Sequence, residues 1–406
     1  MRRQLKIAMV AVLIAALLVG TPLLGCGGGG EGKTVITIGE ITDLTGPASY
    51  AMGPLHYALL DLVRYVNEED PIPGVQLKVA TFDCRYDASR SVPGYDWLRG
   101  HGAKVILSGL DSDAEVLKSF AERDKVPVYS LTTSLPLIEP PGWAFCGGCR
   151  APWQTKTVLK WIGDHWDYTK GVPKIGAIGS NLGFSVEMQQ AVKEYCQDNP
   201  DKFEFVGGYQ APLATTLWSG VTKKLKDCDW IFDGVDGTAM ANFVRQFRDA
   251  GYTAKFFSQD NILASRGVVV DTVGYERLDG SLAASGTGWW DMSYPLIDLL
   301  KQLLHKDHPE EADAIIHSGI GYIGGGTQQY FFLKLLRQAI EQAGAKSFSG
   351  QAFYDTAVNF KATLEGYPEW GFSETRRYAI GHSVILEYRA DVQDVVKISN
   401  WLPLIQ

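Results

Sequence analysis

The sequence of 406 residues is poor in the side chains that metal and thiol chemistry need, with 6 cysteines and 7 histidines. The histidines stand at no metal-ligand spacing, and no HExxH or GxSxG motif occurs. Positive charge is short as well: 38 Lys and Arg face 46 Asp and Glu, a formal net charge of -8. Without a basic cluster the chain has nothing to lay along a nucleic acid backbone. After the N-terminal segment no apolar run is long enough to span a bilayer. These gaps argue against an enzyme, against a bound metal or other cofactor, and against a nucleic acid partner.

What is present starts at the N-terminus. Arg2, Arg3 and Lys6 precede an uncharged run from Ile7 to Val19, followed by Thr21 and Pro22. That is the order of a secretory signal. An uncleaved membrane helix is the competing reading, and Gly20, Pro22 and the glycines that follow count against it. The stretch Leu23-Leu24-Gly25-Cys26 resembles the lipobox of bacterial lipoproteins. The resemblance implies a signal peptide over residues 1–25 and a mature chain that begins at an acylated Cys26. One acyl chain anchors only marginally, so a diacyl or triacyl terminus is expected. The glycine-rich residues 26–34 then form a tether spanning roughly 15–20 Å from Cys26 to Val35. The expected place is the outer face of the cytoplasmic membrane, or a periplasmic face, with the folded part held there by lipid.

Setting Cys26 aside leaves Cys84, Cys146, Cys149, Cys196 and Cys228, an odd number for an exported chain. Cys146-Gly-Gly-Cys149 could close a small loop, hold a metal or do redox work. It lacks the second pair of a zinc site and any thioredoxin-like surroundings. Structural disulfides are the expectation, Cys196–Cys228 and one bond among Cys84, Cys146 and Cys149.

The residues after the tether suit two domains. VITIGEITD, VQLKVATFD, AKVILSG and VPVYSLTTS read as strands, with helices between them such as Gly53 to Glu69 and Asp113 to Arg123. The alternation restarts after a helix from Trp153 to Trp166, with strands KIGAIGSN, FEFVGGY, DWIFDGV and KFFSQD. A long helix is expected over Gln328 to Ala343 and a closing hairpin in the tail. Alternating strands and helices predict an α/β fold of parallel sheets covered by helices. In doubly wound sheets ligands bind beyond the carboxyl ends of the strands, so the turns DLTGPASYAMG, SGLDSDAEV, SLTTSLP and SQDN are the places to read.

The order IGEITDLTGPASYAMG, FDCRYDAS, SGLDSDAEV and YSLTTSLP, with GYIGGGTQQYFF before the long helix, resembles the branched-chain amino acid ABC-transporter binding proteins. These are type I periplasmic binding proteins. The resemblance implies two doubly wound α/β lobes joined by a three-stranded hinge, with residues 35–147 and 287–372 in lobe 1 and 148–286 and 373–406 in lobe 2. Hinge passages are expected at 146–151, 284–287 and 371–375. It also implies a monomer that clamps an amino acid or related small carboxylate and delivers it to a membrane ABC permease. A ligand-sensing module for a signalling partner is the alternative.

Carried over by position, Ser112 corresponds to the hydroxyl that receives the ligand carboxylate. Thr132, Thr133 and Ser134 lie in the turn that adds further polar groups, and Asp260 corresponds to the acid that pairs with the ligand ammonium. Asp236 and Phe184 stand where relatives carry tyrosines, and a second acid near Asp260 would favour a more cationic ligand. Either Tyr50 or Met52 could supply a side-wall contact. Adjacent strand residues point to opposite faces, so at most one of Trp289 and Trp290 is expected in the cleft, and core packing explains either ring.

Overall fold

Strand β1 (Thr34–Thr42, TVITIGEIT) is buried along its last five residues. Continuous burial is what a strand covered on both faces by helices shows, where a half-exposed strand would alternate. The computed structural model describes residues 32–181, 183–212, 215–235 and 237–406, and Asn261 by its backbone alone. Cys26, its tether through residue 31, and Asp236 lie outside the described residues.

Residues 33–406 form one compact unit built on two sheets. In the first, β1 is joined by β2 (Val75–Asp83), β3 (Ala103–Ser108), β4 (Val128–Ser130) and β5 (Ala144–Cys146). The order is β2-β1-β3-β4-β5 with every pair parallel. The second sheet holds β6 (Lys174–Ser180), β7 (Glu204–Ala211), β8 (Trp230–Gly234), β9 (Lys255–Ser258) and β10 (Leu282–Ser285). A small ribbon of β11 (Lys361–Thr363) and β12 (Glu369–Gly371) follows. Then β13 (His382–Arg389) and β14 (Asp394–Lys397) close the second sheet as a hairpin, and β15 (Leu402–Pro403) pairs with β13. The order there is β14-β13-β10-β9-β8-β6-β7, antiparallel only at β13. Both sheets therefore turn back on themselves beside their first strand, which puts a crevice at the carboxyl ends of β1 and β3 in one and of β6 and β8 in the other.

The helices are α1 (Ser49–Glu68), α2 (Ser91–Gly100), α3 (Asp111–Asp124), α4 (Leu135–Ile138), α5 (Ala151–His165), α6 (Gly183–Asp198), α7 (Ser219–Lys224) and α8 (Gly237–Asp249). After them come α9 (Asp260–Leu263), α10 (Arg266–Val273), α11 (Pro295–Asp307), α12 (Ala312–Ser318), α13 (Gly321–Ala343) and α14 (Gly350–Ala357). Helix α13 starts seven residues ahead of the Gln328 expected from the sequence. Glycine disfavours a helix interior, so the sequence GYIGGG reads as an approach loop. The tertiary contact outweighs that: a Cβ on Gly325 would stand 2.5 Å from Leu55 Cγ of α1, and one on Gly326 2.6 Å from Leu300 Cδ2 of α11. The bare backbone lets three helices meet closely.

Three passages of chain run between the sheets side by side. The Cys146 N–H donates to Arg377 O at 2.7 Å, and the Ala379 N–H donates to Cys146 O at 2.9 Å. Gly286, in the passage after β10, abuts Ile380 and Gln154. The third passage is thus bonded at Arg377–Ala379, a few residues beyond the expected 371–375. Helix α12 is flanked in sequence by helices of the first lobe but is held by the second. The buried guanidinium of Arg266 donates to Ile316 O and His317 O at 3.0 and 2.9 Å, and the Ile320 N–H donates to Leu263 O at 3.3 Å.

The cysteines correct an expectation. Cys84, Cys146, Cys149, Cys196 and Cys228 are all free thiols. Cys196 packs with Val192 and Phe232 in one core, and Cys228 packs with Leu225 and Ile231 in another. Ile231 and Phe232 are neighbours in β8 and point to opposite faces of the sheet, which separates the two thiols. Cys84 instead donates its S–H to Asp113 at 3.2 Å.

Candidate functional site

The turn after β1 is organised by Asp43, fully buried, whose carboxylate accepts the N–H groups of Gly46 at 2.5 Å and Ala48 at 2.8 Å. This carries the chain into α1, which begins at Ser49. Met52 is buried against Gly109 of the β3 turn, while Tyr50 is about half exposed.

After β3 the chain enters α3 at Asp111. The Asp111 carboxylate accepts the Ser112 N–H at 2.9 Å, so the free end of the helix, where an anion is favoured, already faces a carboxylate of its own. Burial pushes the Asp111 carboxyl up to about 6, and the charge of Glu115 one turn on adds to this, as does Glu187 from α6 of the other lobe. Ser112 itself is exposed. Asp113 is tied elsewhere, accepting from Ser91 Oγ at 2.5 Å and from Cys84, and it joins α3 to α2.

In the turn after β4, Ser134 donates its hydroxyl to the Glu115 carboxylate. Thr132 donates its N–H to Ser130 Oγ at 3.3 Å, and its own hydroxyl oxygen is buried without a hydrogen-bond partner among the described residues. Thr133 is buried beside the Cys146 thiol, whose pKa its hydroxyl lowers against a larger rise from burial, to about 12.

The stretch FCGGC forms the hinge turn at the base of this region. A Cβ on Gly147 would lie 2.5 Å from Tyr129 Oη, and one on Gly148 2.8 Å from Leu131 O. The two glycines allow the turn to press against β4 and its exit. Neither thiol is poised for reaction, since burial raises Cys146 to about 12 and pushes Cys149 well above its ordinary value. Among the described residues no three His, Cys, Asp or Glu side chains gather as a metal site. Residues 27–34 also spell the phosphate-loop pattern GxxxxGKT. Such a loop follows a strand and opens a helix, whereas Thr34 opens a strand.

From the second lobe, Asp260 opens α9 directly after β9. Its carboxylate accepts from Gln154 Nε2 at 2.8 Å and, at 3.5 Å, from the Gly286 N–H of the second hinge passage. Asp260 lies near enough to Cys149 to raise that thiol, as Asp111 does for Cys146. The two acids thus flank the four-residue hinge turn, one from each lobe. Phe184 is the second residue of α6 and partly exposed. Glu187 of the same helix pairs with Arg150 at 2.8 Å.

Trp289 is fully buried beneath the Arg266 guanidinium, and Trp290 donates Nε1–H to Gly319 O at 2.9 Å and stacks on Tyr322. Both rings belong to the core. Asp111, Glu115, Arg150, Gln154 and Glu187 are not among the residues that the sequence points to. The Asp111/Glu115 pair, four apart at a helix start, was the one signal in plain view; the others needed the folded hinge. A broad recess of about 440 Å³ lies on the outer side of the first lobe, lined by Lys33, Leu60, Arg64 and Lys78, away from the strand exits described above.

A family model described as periplasmic binding protein matches residues 35–391. The fold is similar to that of a branched-chain amino acid ABC transporter protein from Thermus thermophilus with bound valine, at 16% identity and a TM-score of 0.78, covering 92% of this chain and 97% of that one. It is also similar to a solute binding protein of an ABC transporter from Rhodopseudomonas palustris in complex with 3,4-dihydroxybenzoic acid, at 14% identity and 0.74, covering 92% and 99%. A leucine binding protein from Thermotoga maritima matches at 15% and 0.71, covering 90% and 98%. At such identities the likeness speaks for the fold. No curated protein sequence matches the chain.

Proposed function

Because the chain belongs to the periplasmic binding protein family, we propose that it captures a small solute between its two lobes outside the cytoplasm and hands it to the permease of an ABC importer. Members of this family are solute-binding proteins and not enzymes, and they are exported. The observation that carries the reading is that the exits of the two sheets reach the same hinge turn, Asp111 lying close enough to Cys146 and Asp260 close enough to Cys149 to raise each thiol. A solute held from both sides makes contacts in the closed form that the open form lacks, and so shifts the balance towards closure. The permease reads the closed shape.

Valine and dihydroxybenzoic acid in the structural relatives set the size expected of the solute. The place of Asp260 at the exit of β9, held by Gln154 and Gly286, supports an amino group on it through the family resemblance. The N-terminal sequence supports acylation at Cys26, with residues 26–34 as a tether and the folded part a monomer at the membrane surface.

The test is a thermal-shift screen of residues 33–406 against amino acids, aromatic acids, amides and amines. A true solute at 100 times its Kd stabilises by about 2.7 kcal/mol, a rise of roughly 3–6 °C for a chain of this size. If no class of small solute moves the midpoint, the reading fails.

A further inference from the structure

Between α11 and α13 the chain makes an excursion that the three hinge passages do not include. It leaves the first lobe, lays α12 against α10 of the second, and comes back. One carboxylate pins both ends of this strap to the first lobe. Asp61 of α1 is buried; its Oδ1 lies 3.1 Å from His308 Nε2, where the strap begins, and its Oδ2 accepts the Tyr322 hydroxyl at 2.6 Å, just past where it ends. Tyr57 of the same helix stacks on the His308 ring at 4.4 Å, and Arg64 donates to Asp307 at 2.5 Å. A buried carboxylate that loses either partner is left undersatisfied, so the points of departure and return are held fast.

The middle of the strap is gripped from the other lobe. Arg266 of α10, 4% exposed, gives one guanidinium nitrogen to Ile316 O and His317 O at 3.0 and 2.9 Å. Its other terminal nitrogen donates to Tyr275 Oη at 3.0 Å and to Asp394 of β14, which roots the grip in the second sheet. His317 Nε2 also lies 2.8 Å from Asp271 of α10, an exposed pair worth little by itself. Bare backbone lets the surfaces meet. A Cβ on Gly267 of α10 would stand 2.9 Å from His317 O, and one on Gly319 1.9 Å from Leu263 O, where a φ of +139° also favours glycine. Two residues on, a Cβ on Gly321 would stand 3.2 Å from Ala51 O and 3.1 Å from Pro54 Cβ, both of α1. Residues 319–321 thus cross from one lobe to the other between the end of α9 and the start of α1, the helices that follow β9 and β1. The Ile320 N–H donates to Leu263 O across this junction at 3.3 Å.

We propose that residues 308–320 are a latch between the lobes: pinned at both ends by Asp61 of the first and gripped at the middle by Arg266 of the second, the strap draws the solute-free protein towards its closed form. The inference rests on the two-lobed clamp proposed above and adds a control on it that touches no solute. Turning the lobes apart about the hinge passages carries α9 and α10 away from α1, so the Arg266 grip or the junction at Ile320 must yield. Buried carbonyls and a buried guanidinium separated from each other lose their partners, which sets a cost on opening. A closed form favoured in this way is populated before the solute arrives, and the solute then spends less of its binding energy on closure.

The test uses solute-free residues 33–406, in hydrogen exchange read by mass spectrometry and in solution scattering. Arg266→Lys keeps a positive charge for Asp394 and loses the fork that reaches two carbonyls. It is expected to speed amide exchange across 309–320 tenfold or more, to leave exchange in β1 and β6 within twofold of the wild type, and to raise the radius of gyration. Should Arg266→Lys fail to fold, Gly267→Ala is expected to give the same three results, since its methyl meets His317 O, removes no charge and suits a helix. Strap exchange within twofold of the wild type in a folded variant overturns the inference. Faster strap exchange at an unchanged radius of gyration also overturns it, because the strap would then pack on the second lobe without holding the lobes together. Neither readout involves a solute, so a failed latch leaves the cleft reading to the solute screen.

Discussion

Gly148 has no room for a methyl group: a Cβ there would lie 2.8 Å from the carbonyl oxygen of Leu131, which is backbone and cannot swing aside. Gly148→Ala is therefore expected to cost about 1–3 kcal/mol, read as a lower urea midpoint at unchanged slope. Asp111 gives a prediction with a sign. Its folded carboxyl titrates at about 6 against an ordinary 3.8, so between those values the folded chain holds a proton that the unfolded chain has released. Stability then falls as pH rises through that window, by at most about 3 kcal/mol, and the loss persists at pH 8. Asp111→Asn should raise the thermal midpoint at pH 8 and leave it nearly unchanged at pH 4. An equal shift at both pH values would show that the carboxylate carries no such burden. The thiols make a third case. Residues 33–406 should release five reactive thiols in denaturant without reductant, and far fewer when native. Recovery of three or fewer would restore a disulfide.

The helix α13 shows what a sequence withholds at the scale of an element. Its apolar positions from Gln328 onward declare a helix, but the roughly two turns before them are glycine-rich and local propensity argues against them. Only the approach of α1 and α11 explains why those glycines are helical. Gly325→Leu should accordingly destabilise by about 1–3 kcal/mol or more, although leucine is the better helix former. A stabilised variant would refute the packing account. The strands were more legible, because β1 is rich in β-branched residues and β6 carries the apolar run IGAIG. The three-residue β5 was not legible, since AFC is too short to show a period. At the site the same division holds. The turns and Asp260 could be found from strand order, while Gln154 and Arg150 become site residues only once the hinge folds α5 against Asp260. Ser112 corresponds by position to a carboxylate receiver, and what the sequence does not show is that its N–H is already bonded to the Asp111 carboxylate.

At the scale of the whole molecule, the proposed acylation predicts that Cys26→Ser moves the protein from the membrane fraction to the soluble fraction and abolishes fatty acid labelling; labelling that survives would exclude Cys26 as the acylated residue. Solute closure should lower the radius of gyration in solution scattering, and a solute that binds without compaction would speak against a clamp. The second sheet is not finished by its own segment of chain. Its β10 edge is covered only by β13, which lies beyond residue 381, after the whole return through the first lobe. While the last stretch is still on the ribosome, β10 therefore presents an unpaired edge, and the first lobe has only just received α13 and α14. A chain that completes one half with returning helices and the other with its final strands stays unfinished during synthesis, which suits a protein that must cross a membrane before it folds.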